Sequence, residues 1–391
     1  MALSAWARKH SMILTVGVSS AAGLLYSCYT TNKRLATLIS LCSFGSACLH
    51  KRYGSRHMLD TNQVVIITGC DSGLGYSLAL HCQFLGATVI ASVLDNTGQG
   101  AELLKEKGIV VLPLDITNDK TLKALVNNAG VMIFGEFEWQ TKDQVKHQLE
   151  VNLLGTMKIT HQLMPLIRKD STRIVVVSSH CASEPLPGVA AYSATKAAIN
   201  AWATAIRVEL KKYGIDVVTF VPGSFTQESN ILANQPERFD AMKESMTLDA
   251  RYFYRDYFDR YVKYFEPLAC KVTPKPVENP RIYEKFEGAL LDNYPSSVYK
   301  CEPWRYCFYY TLFKITPYYI RDRLTESFVK LPSWKERDID ERFEIDNSKK
   351  PVFEELAKDF SLLEKDVLDK LFLKSIKMFA AGQAQVGISS V

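Results

Sequence analysis

The sequence predicts an α/β fold built on a doubly wound parallel sheet, on three observations. Short apolar runs alternate with helical stretches from Gln63 onward, a glycine-rich turn joins the first run to the first helix, and helices end at glycines. VVIITG (64–69), ATVIASV (87–93), IVVLPLD (109–115), LKALVNN (122–128), RIVVVSS (173–179) and DVVTFVPG (216–223) read as successive buried strands. Between them, residues 75–85 and 192–213 carry helical periodicity, with Gly86 and Gly214 as C-caps. In such a sheet the ligand site lies beyond the strand carboxyl ends.

The composition fits a globular chain with ample length for a large core: 391 residues, 47% hydrophobic and 23% charged. The formal charge is +5, yet seven basic residues (Arg8, Lys9, Lys33, Arg34, Lys51, Arg52, Arg56) precede Asp60, the first acid, which leaves −2 for residues 60–391. A basic excess confined to one end does not make a nucleic-acid footprint, so no nucleic-acid partner is expected. Nine cysteines without a C-x-x-C pair suggest neither a disulfide framework nor a thiolate zinc site, and no metal is expected.

Residues 11–32 carry no charge, and as a helix they would cover about 33 Å, enough to cross a bilayer core. A second uncharged run, residues 35–49, is short for a span. Residues 11–49 therefore predict a membrane anchor, and the flanking basic residues favour a cytoplasmic main body, with the endoplasmic reticulum as first compartment. The acid-free, serine-rich leader also fits a mitochondrial transit peptide, and Arg8-Lys9 before an apolar stretch also fits a secretory signal. The expected division is 1–59 anchor or targeting segment, 60–326 main domain, and 327–391 a charged, partly helical extension.

In the turn Thr68-Gly69-Cys70-Asp71-Ser72-Gly73-Leu74-Gly75, backbone amides and a helix N-terminus converge where a pyrophosphate can sit. It is not a Walker A loop, because Tyr76 follows Gly75 where lysine would be needed. Asp95 lies 20 residues past Gly75, the spacing at which a carboxylate can reach a ribose, although a solvated loop acid fits its position equally. Asp71 would repel an extra 2′-phosphate and no arginine follows the second strand, which favours NAD over NADP.

Tyr192-Ser-Ala-Thr-Lys196 sets a phenol and an ammonium on one helical face. Tyr310 and Lys314 repeat that spacing, so context must choose. Only Tyr192 has a serine strand end 13 residues upstream, the glycine turn before it, and Pro222-Gly223 after the next strand.

Taken in order, TGCDSGLG, Asn127-Asn128-Ala129-Gly130, Asn152 in VNLLG, Ser179, Tyr192 with Lys196, and Pro222-Gly223 resemble the motifs of the short-chain dehydrogenase/reductase family. The resemblance covers residues 62–326 and looks most like the branch of 17β-hydroxysteroid, retinol and 3-hydroxybutyrate dehydrogenases. It implies a Rossmann-type sheet, NAD as cofactor, and a homo-oligomer formed through the helices carrying Asn152 and Tyr192. It implies Tyr192 as proton acceptor or donor, Ser179 as the hydroxyl that orients the substrate oxygen, Lys196 as ribose holder, and Asn152 as anchor of a proton-relay water. For the cofactor it implies Gly69, Asp71, Ser72, Gly73, Leu74, Gly75 and Asp95 at the dinucleotide, and Asp115 with Ile116 at the adenine. Asn128 with Ala129 would meet the adenosine ribose, Tyr192 and Lys196 would flank the nicotinamide, and Thr226 would reach the carboxamide. A phenol is a poor base at neutral pH, and Lys196 with a positive ring beside Tyr192 would favour the phenolate.

One departure stands out. Only residues 116–121 separate the third strand from the fourth, whereas a parallel crossover takes a dozen or more. The sequence therefore predicts a missing crossover helix and either a displaced third strand or exposed apolar sheet.

Beyond Thr226, Tyr254, Tyr257, Phe258, Tyr261 and Phe265 fall at helical spacing, as a lid over a lipophilic substrate or as plain core. Whether Arg251 or Arg255 serves an acidic substrate stays open. Phe353, Leu356, Phe360, Leu363, Val367 and Leu371 mark an amphipathic helix in the extension. The expected activity is hydride transfer between NAD(H) and a lipophilic secondary alcohol or ketone at a membrane, steroid or retinoid first. The alternatives are a 3-hydroxybutyrate-type dehydrogenase and a catalytically weak scaffold that keeps the fold.

Overall fold

A computed structural model describes residues 56–111, 121–225, 228–269, 271–329 and 331–334. Seven strands form one parallel sheet: β1 (Gln63–Ile67), β2 (Thr88–Ala91), β3 (Val110–Val111), β4 (Thr121–Asn127), β5 (Arg173–Val177), β6 (Val217–Val221) and β7 (Val298–Lys300), in the order 3-2-1-4-5-6-7. The order reverses between β1 and β4, which places a crevice at their carboxyl ends.

The helices follow the apolar periodicity of the chain: α1 (Gly73–Phe84), α2 (Gln99–Glu106), α3 (Lys142–Leu149), α4 (Thr156–Gln162), α5 (Met164–Asp170) and α6 (Ala190–Lys211). Then come α7 (Gln235–Ser245), α8 (Leu248–Phe265), α9 (Pro280–Leu291), α10 (Trp304–Ile315) and α11 (Tyr318–Val329). Gly86 and Gly214 follow α1 and α6 with φ of 101° and 74°, the left-handed turn that stops each helix. Alternate strand residues face two cores. Val65, Ile67, Val126 and Phe220 pack with Leu78 and Cys82 of α1 and Phe286 of α9, while Ile66, Leu125, Ile174 and Val176 pack with Ile199 and Ala203 of α6. Burial on both faces is why the strands read as unbroken apolar runs.

All six expected strands are present, and β7 is an addition. Its three residues include two exposed ones, so no apolar run announces it; it is held at the sheet edge by parallel pairing of Thr219–Val221 with Val298–Lys300. Of the expected third strand, 109–115, Val110–Val111 pair with Ile90–Ala91, and residues 112–115 lie outside the described residues. Nine residues, 112–120, separate β3 from β4, fewer than a helical crossover takes. Beside this connection Ile66 and Ile90 are buried and Val110 is half exposed. Where the chain enters β4 the register slips, pairing Val64 with Leu122 but Val65 with Ala124. Lys123 is the extra residue of this bulge, so Leu122 and Leu125 share one core while Ala124 and Val126 line the other.

By contacts the chain divides into two units, the first holding residues up to Met246 and Tyr261–Leu331, the second Thr247–Arg260 and the residues from Pro332 on. In the first, Tyr261 and Phe265 pack with Trp139, Phe239 and Phe134, so this part of the aromatic face is core. In the second, Phe253, Tyr254 and Tyr257 gather around Trp334. Among the described residues no helix is long and apolar enough to cross a membrane. The expected anchor at 11–49 and the amphipathic run at 353–371 lie outside the described residues.

Candidate active site

The glycine turn is shaped by close backbone packing. Gly69 has φ 70° and its Cα lies so near Ala129 that an added Cβ would stand 2.7 Å from the Ala129 Cα. A Cβ on Gly75 would collide with the Gly69 carbonyl and the Asn128 amide. Thr68 Oγ1 accepts from the Asn128 and Ala129 N–H groups, both at 3.0 Å, and Asn128 Nδ2 donates to the Thr68 and Gly69 carbonyls at 2.8 and 3.0 Å. Asn128 therefore stitches the end of β4 to the turn. Leu74 points into the core, leaving only its backbone for a ligand. The first turn of α1 has neither an acidic residue nor a side-chain cap, so its positive end suits an anion, and the turn fits a dinucleotide pyrophosphate. Ser72 Oγ accepts from the Asn230 N–H at 3.2 Å, and Ser229 lies against Gly73, so the 3₁₀ segment Asn230–Leu232 runs close over the turn.

The two acids near the second strand differ. Asp71 Oδ1 accepts from the N–H groups of Leu94 and Asp95 at 2.8 and 3.1 Å, which carries its negative charge to the end of β2. Asp95 turns back on its own loop, accepting from the Thr97 N–H and hydroxyl, and these bonds hold its carboxyl below the ordinary range. Asp115, Ile116 and Thr226 lie outside the described residues.

At the other end of the crevice four expected residues come together. Ser179 follows β5 and caps a short 3₁₀ turn, its Oγ accepting from the Cys181 N–H at 3.2 Å. Asn152 sits in a π-helical stretch, Glu150–Gly155, between α3 and α4, a rare geometry that turns a side chain inward. Its Oδ1 accepts from Val131 N–H at 2.7 Å, and its Nδ2 donates to the Val131 carbonyl at 2.9 Å and to Thr195 Oγ1 at 3.0 Å. Thr195 in turn donates to the Tyr192 carbonyl at 2.7 Å. Lys196 Nζ donates to the Val177 carbonyl at 3.1 Å and stands 5.8 Å from the centre of the Tyr192 ring. A Cβ on Gly130 would lie 3.4 Å from Asn152 Oδ1 and 3.5 Å from Lys196 Nζ, so Gly130 lets the two groups approach one backbone.

Burial dominates the electrostatics here. It pushes the Tyr192 phenol above its ordinary value, the Cys181 thiol adds to the rise, and a hydrogen bond with the Ser179 side chain opposes it. Burial also pulls the Lys196 ammonium down to about 8. The expected pull of Lys196 on the phenol toward the phenolate is therefore outweighed by desolvation among the chain's own groups.

Tyr192 is walled by Met132, Cys181, Val189 and Leu232, with Phe134, Leu186, Ile231 and Leu268 packed behind. Thr195, Cys181 and the Ile231–Leu232 wall escaped the sequence reading. Thr195 had a signal in its place one residue before Lys196; the others had none, because they meet Tyr192 only through the fold.

The chain can now be compared with known proteins. The short chain dehydrogenase family matches residues 63–238. Estradiol 17-beta-dehydrogenase 2 of Rattus norvegicus is 36% identical over 294 residues, 68% of this chain and 76% of the relative. D-beta-hydroxybutyrate dehydrogenase, mitochondrial, of Mus musculus is 31% identical over 57% of this chain and 70% of its own length. Retinol dehydrogenase 7 of Mus musculus is 30% identical over 54% of this chain and 72% of its own length. With a parallel sheet that reverses order at a glycine turn, and a serine, tyrosine and lysine gathered beyond it, the chain is a nicotinamide-dependent oxidoreductase of the alcohol dehydrogenase type and belongs to the short-chain dehydrogenase family.

Proposed function

We propose that this enzyme interconverts a lipophilic alcohol, a secondary steroid alcohol or a retinoid, and its ketone or aldehyde, with NAD(H) preferred over NADP(H). The observation that carries the substrate class is the set of apolar side chains against Tyr192, Met132, Val189 and Leu232, with Phe134, Leu186, Ile231 and Leu268 behind them. A small hydroxy acid would call for a guanidinium or ammonium aimed at its carboxylate. Arg238, which touches this wall, donates to the Met132 carbonyl at 2.6 Å. The names of the relatives, estradiol and retinol dehydrogenases, support the same class.

Gly69, Ser72, Gly73, Leu74 and Gly75 would hold the pyrophosphate of the cofactor, and Asp71, Asp95, Asn128, Ala129, Asp115 and Ile116 its adenosine end. Lys196 would hold the nicotinamide ribose, and Thr226 the carboxamide. When bound, the nicotinamide supplies the hydride acceptor or donor. Tyr192 Oη takes the hydroxyl proton in oxidation and returns it in reduction. Ser179 Oγ, within a hydrogen bond of that phenol, orients the substrate oxygen. Lys196 adds cationic charge that offsets part of the desolvation of the phenolate, and Asn152, fixed through Val131 and Thr195, anchors the water that passes the proton outward. The apolar wall excludes other water, which strengthens each of these polar contacts.

In the same reading the chain is held at a membrane through residues 11–49, with the main body facing the cytoplasm from the endoplasmic reticulum; a mitochondrial membrane is the second compartment. Copies of the chain pair through the helices carrying Asn152 and Tyr192. The test is NADH formation by detergent-solubilised full chain given NAD and estradiol, retinol or 3-hydroxybutyrate. The expected result is kcat/KM at least about tenfold higher for one of the lipophilic alcohols, the equivalent of about 1.4 kcal/mol. Turnover of 3-hydroxybutyrate alone would overturn the substrate class.

A further inference from the structure

The helical hairpin α10–α11 buries one face and leaves the other bare. Tyr310, Phe313 and Phe328 close its core, with Tyr306, Tyr309 and Leu324 around them, so the hairpin is a preformed unit. On the opposite side of α10, Trp304, Phe308, Thr311 and Ile315 fall three and four residues apart and are all exposed, Trp304 at 80% and Ile315 at 72%. The ridge continues past Pro317 into Tyr318, Tyr319 and Ile320, also exposed. A soluble surface rarely sets so many large apolar groups in one row.

The polar groups beside this ridge decide what it meets. From Trp304 to Val329 the segment holds Arg305, Lys314, Arg321 and Arg323 against Asp322 and Glu326, and with Arg321 paired to Glu184 it keeps an excess of one positive charge. Arg323 stacks over Tyr319 at 4.5 Å, so a cation stands beside this outward ring, while Arg321, over Tyr318 at 5.9 Å, is ion-paired with Glu184. Tryptophan and tyrosine with flanking arginine are the residue types that sit at the level of lipid headgroups, their rings in the acyl boundary and their cations on anionic headgroups. A second copy docked on the same face would set this basic surface against itself.

We propose that the exposed face of α10 and the start of α11 lies in the surface of a bilayer containing anionic phospholipid. This rests on the reading that the chain works at a membrane, and adds a surface separate from residues 11–49. The location gives the contact a use. Leu186 packs both against the hairpin core and behind the Tyr192 wall, and Arg321 pairs with Glu184 at 3.1 Å, so the hairpin adjoins the loop between β5 and α6 that carries Ser179. A lipophilic alcohol dissolved in the bilayer then enters beside Tyr192 without crossing water.

The experiment uses full chain synthesised into vesicles of phosphatidylcholine and phosphatidylserine that hold a trace of photoactivatable diazirine phospholipid, with adducts mapped by peptide mass. Lipid adducts on peptides covering residues 304–320 are expected, reduced at least fivefold by Ile315→Asp and by Phe308→Asp, with turnover of a water-soluble alcohol retained. Adducts confined to residues 1–55 would overturn the docked surface and leave the membrane reading standing. Absence of adducts throughout the chain would sink both. Adducts at 304–320 unchanged in both variants would show that the ridge does not make the contact.

Discussion

Asn152 and Asp71 are each held by two backbone groups. Asn152 is fixed by both polar groups of Val131 and by Thr195, which itself reaches the Tyr192 carbonyl, so Asn152 is tied to the backbone of the turn that carries Tyr192. Asp71 shows the same economy, its carboxylate binding two N–H groups at the end of β2 and carrying charge to where an adenosine ribose would lie. Asp71→Asn removes that charge and keeps an amide oxygen for the loop. Its expected effect is a fall of about tenfold in the NAD over NADP preference in kcat/KM, about 1.4 kcal/mol of discrimination; an unchanged ratio would mean that Asp71 does not face the 2′ position. The motif residues of the site were legible because their chemistry demands those types at those spacings. Asn128 was legible as a motif residue, but that its amide bonds the turn depends on β4 lying beside β1. Asp95 illustrates the limit of spacing: its separation from Gly75 suits a ribose ligand, yet its bonds to Thr97 are a local matter that spacing does not reveal.

At the scale of elements, the loop from β5 is tied to α10 by an aromatic stack. His180 lies 5.0 Å from the Tyr306 ring and 5.6 Å from the Tyr310 ring, and burial pulls its imidazole down to about 4. The unfolded chain takes this proton near pH 6.5, the folded chain only near 4, so the unfolded state binds more protons in between. Stability from this group is whole above pH 6.5 and is lost as pH falls toward 4, by up to about 3 kcal/mol. His180→Phe keeps a ring on the tyrosines and removes the titration; denaturant unfolding from pH 7 to 4 is expected to show a shallower loss than the parent, and equal slopes would contradict the assignment. Elements with both faces buried were legible as apolar runs, which is why β1, β2, β4, β5 and β6 match their expected spans closely. The edge strand β7, with two of three residues exposed, has no such run. The bulge at Lys123 was invisible because it reflects the register imposed by β1.

For the whole molecule, the connection from β3 to β4 sets the question of how much stability the sheet retains. Nine residues must carry the chain from one edge past β2 and β1, and the slipped register at the entry to β4 lies at the end of that passage. Inserting a helix-length segment between Ile116 and Thr121 is expected to raise the unfolding midpoint and to tighten NAD binding, measured by calorimetry; no gain in either would show that the short connection costs nothing. The central claim concerns the other end of the crevice, where Ser179, Tyr192 and Lys196 meet within the apolar wall. It is tested most directly by Tyr192→Phe, which removes one oxygen and keeps the ring, with NADH formation and NAD binding measured on the same preparation. Turnover is expected to fall about 100-fold or more with NAD affinity retained, as removal of a general acid and base requires. Turnover equal to that of the parent would contradict the account.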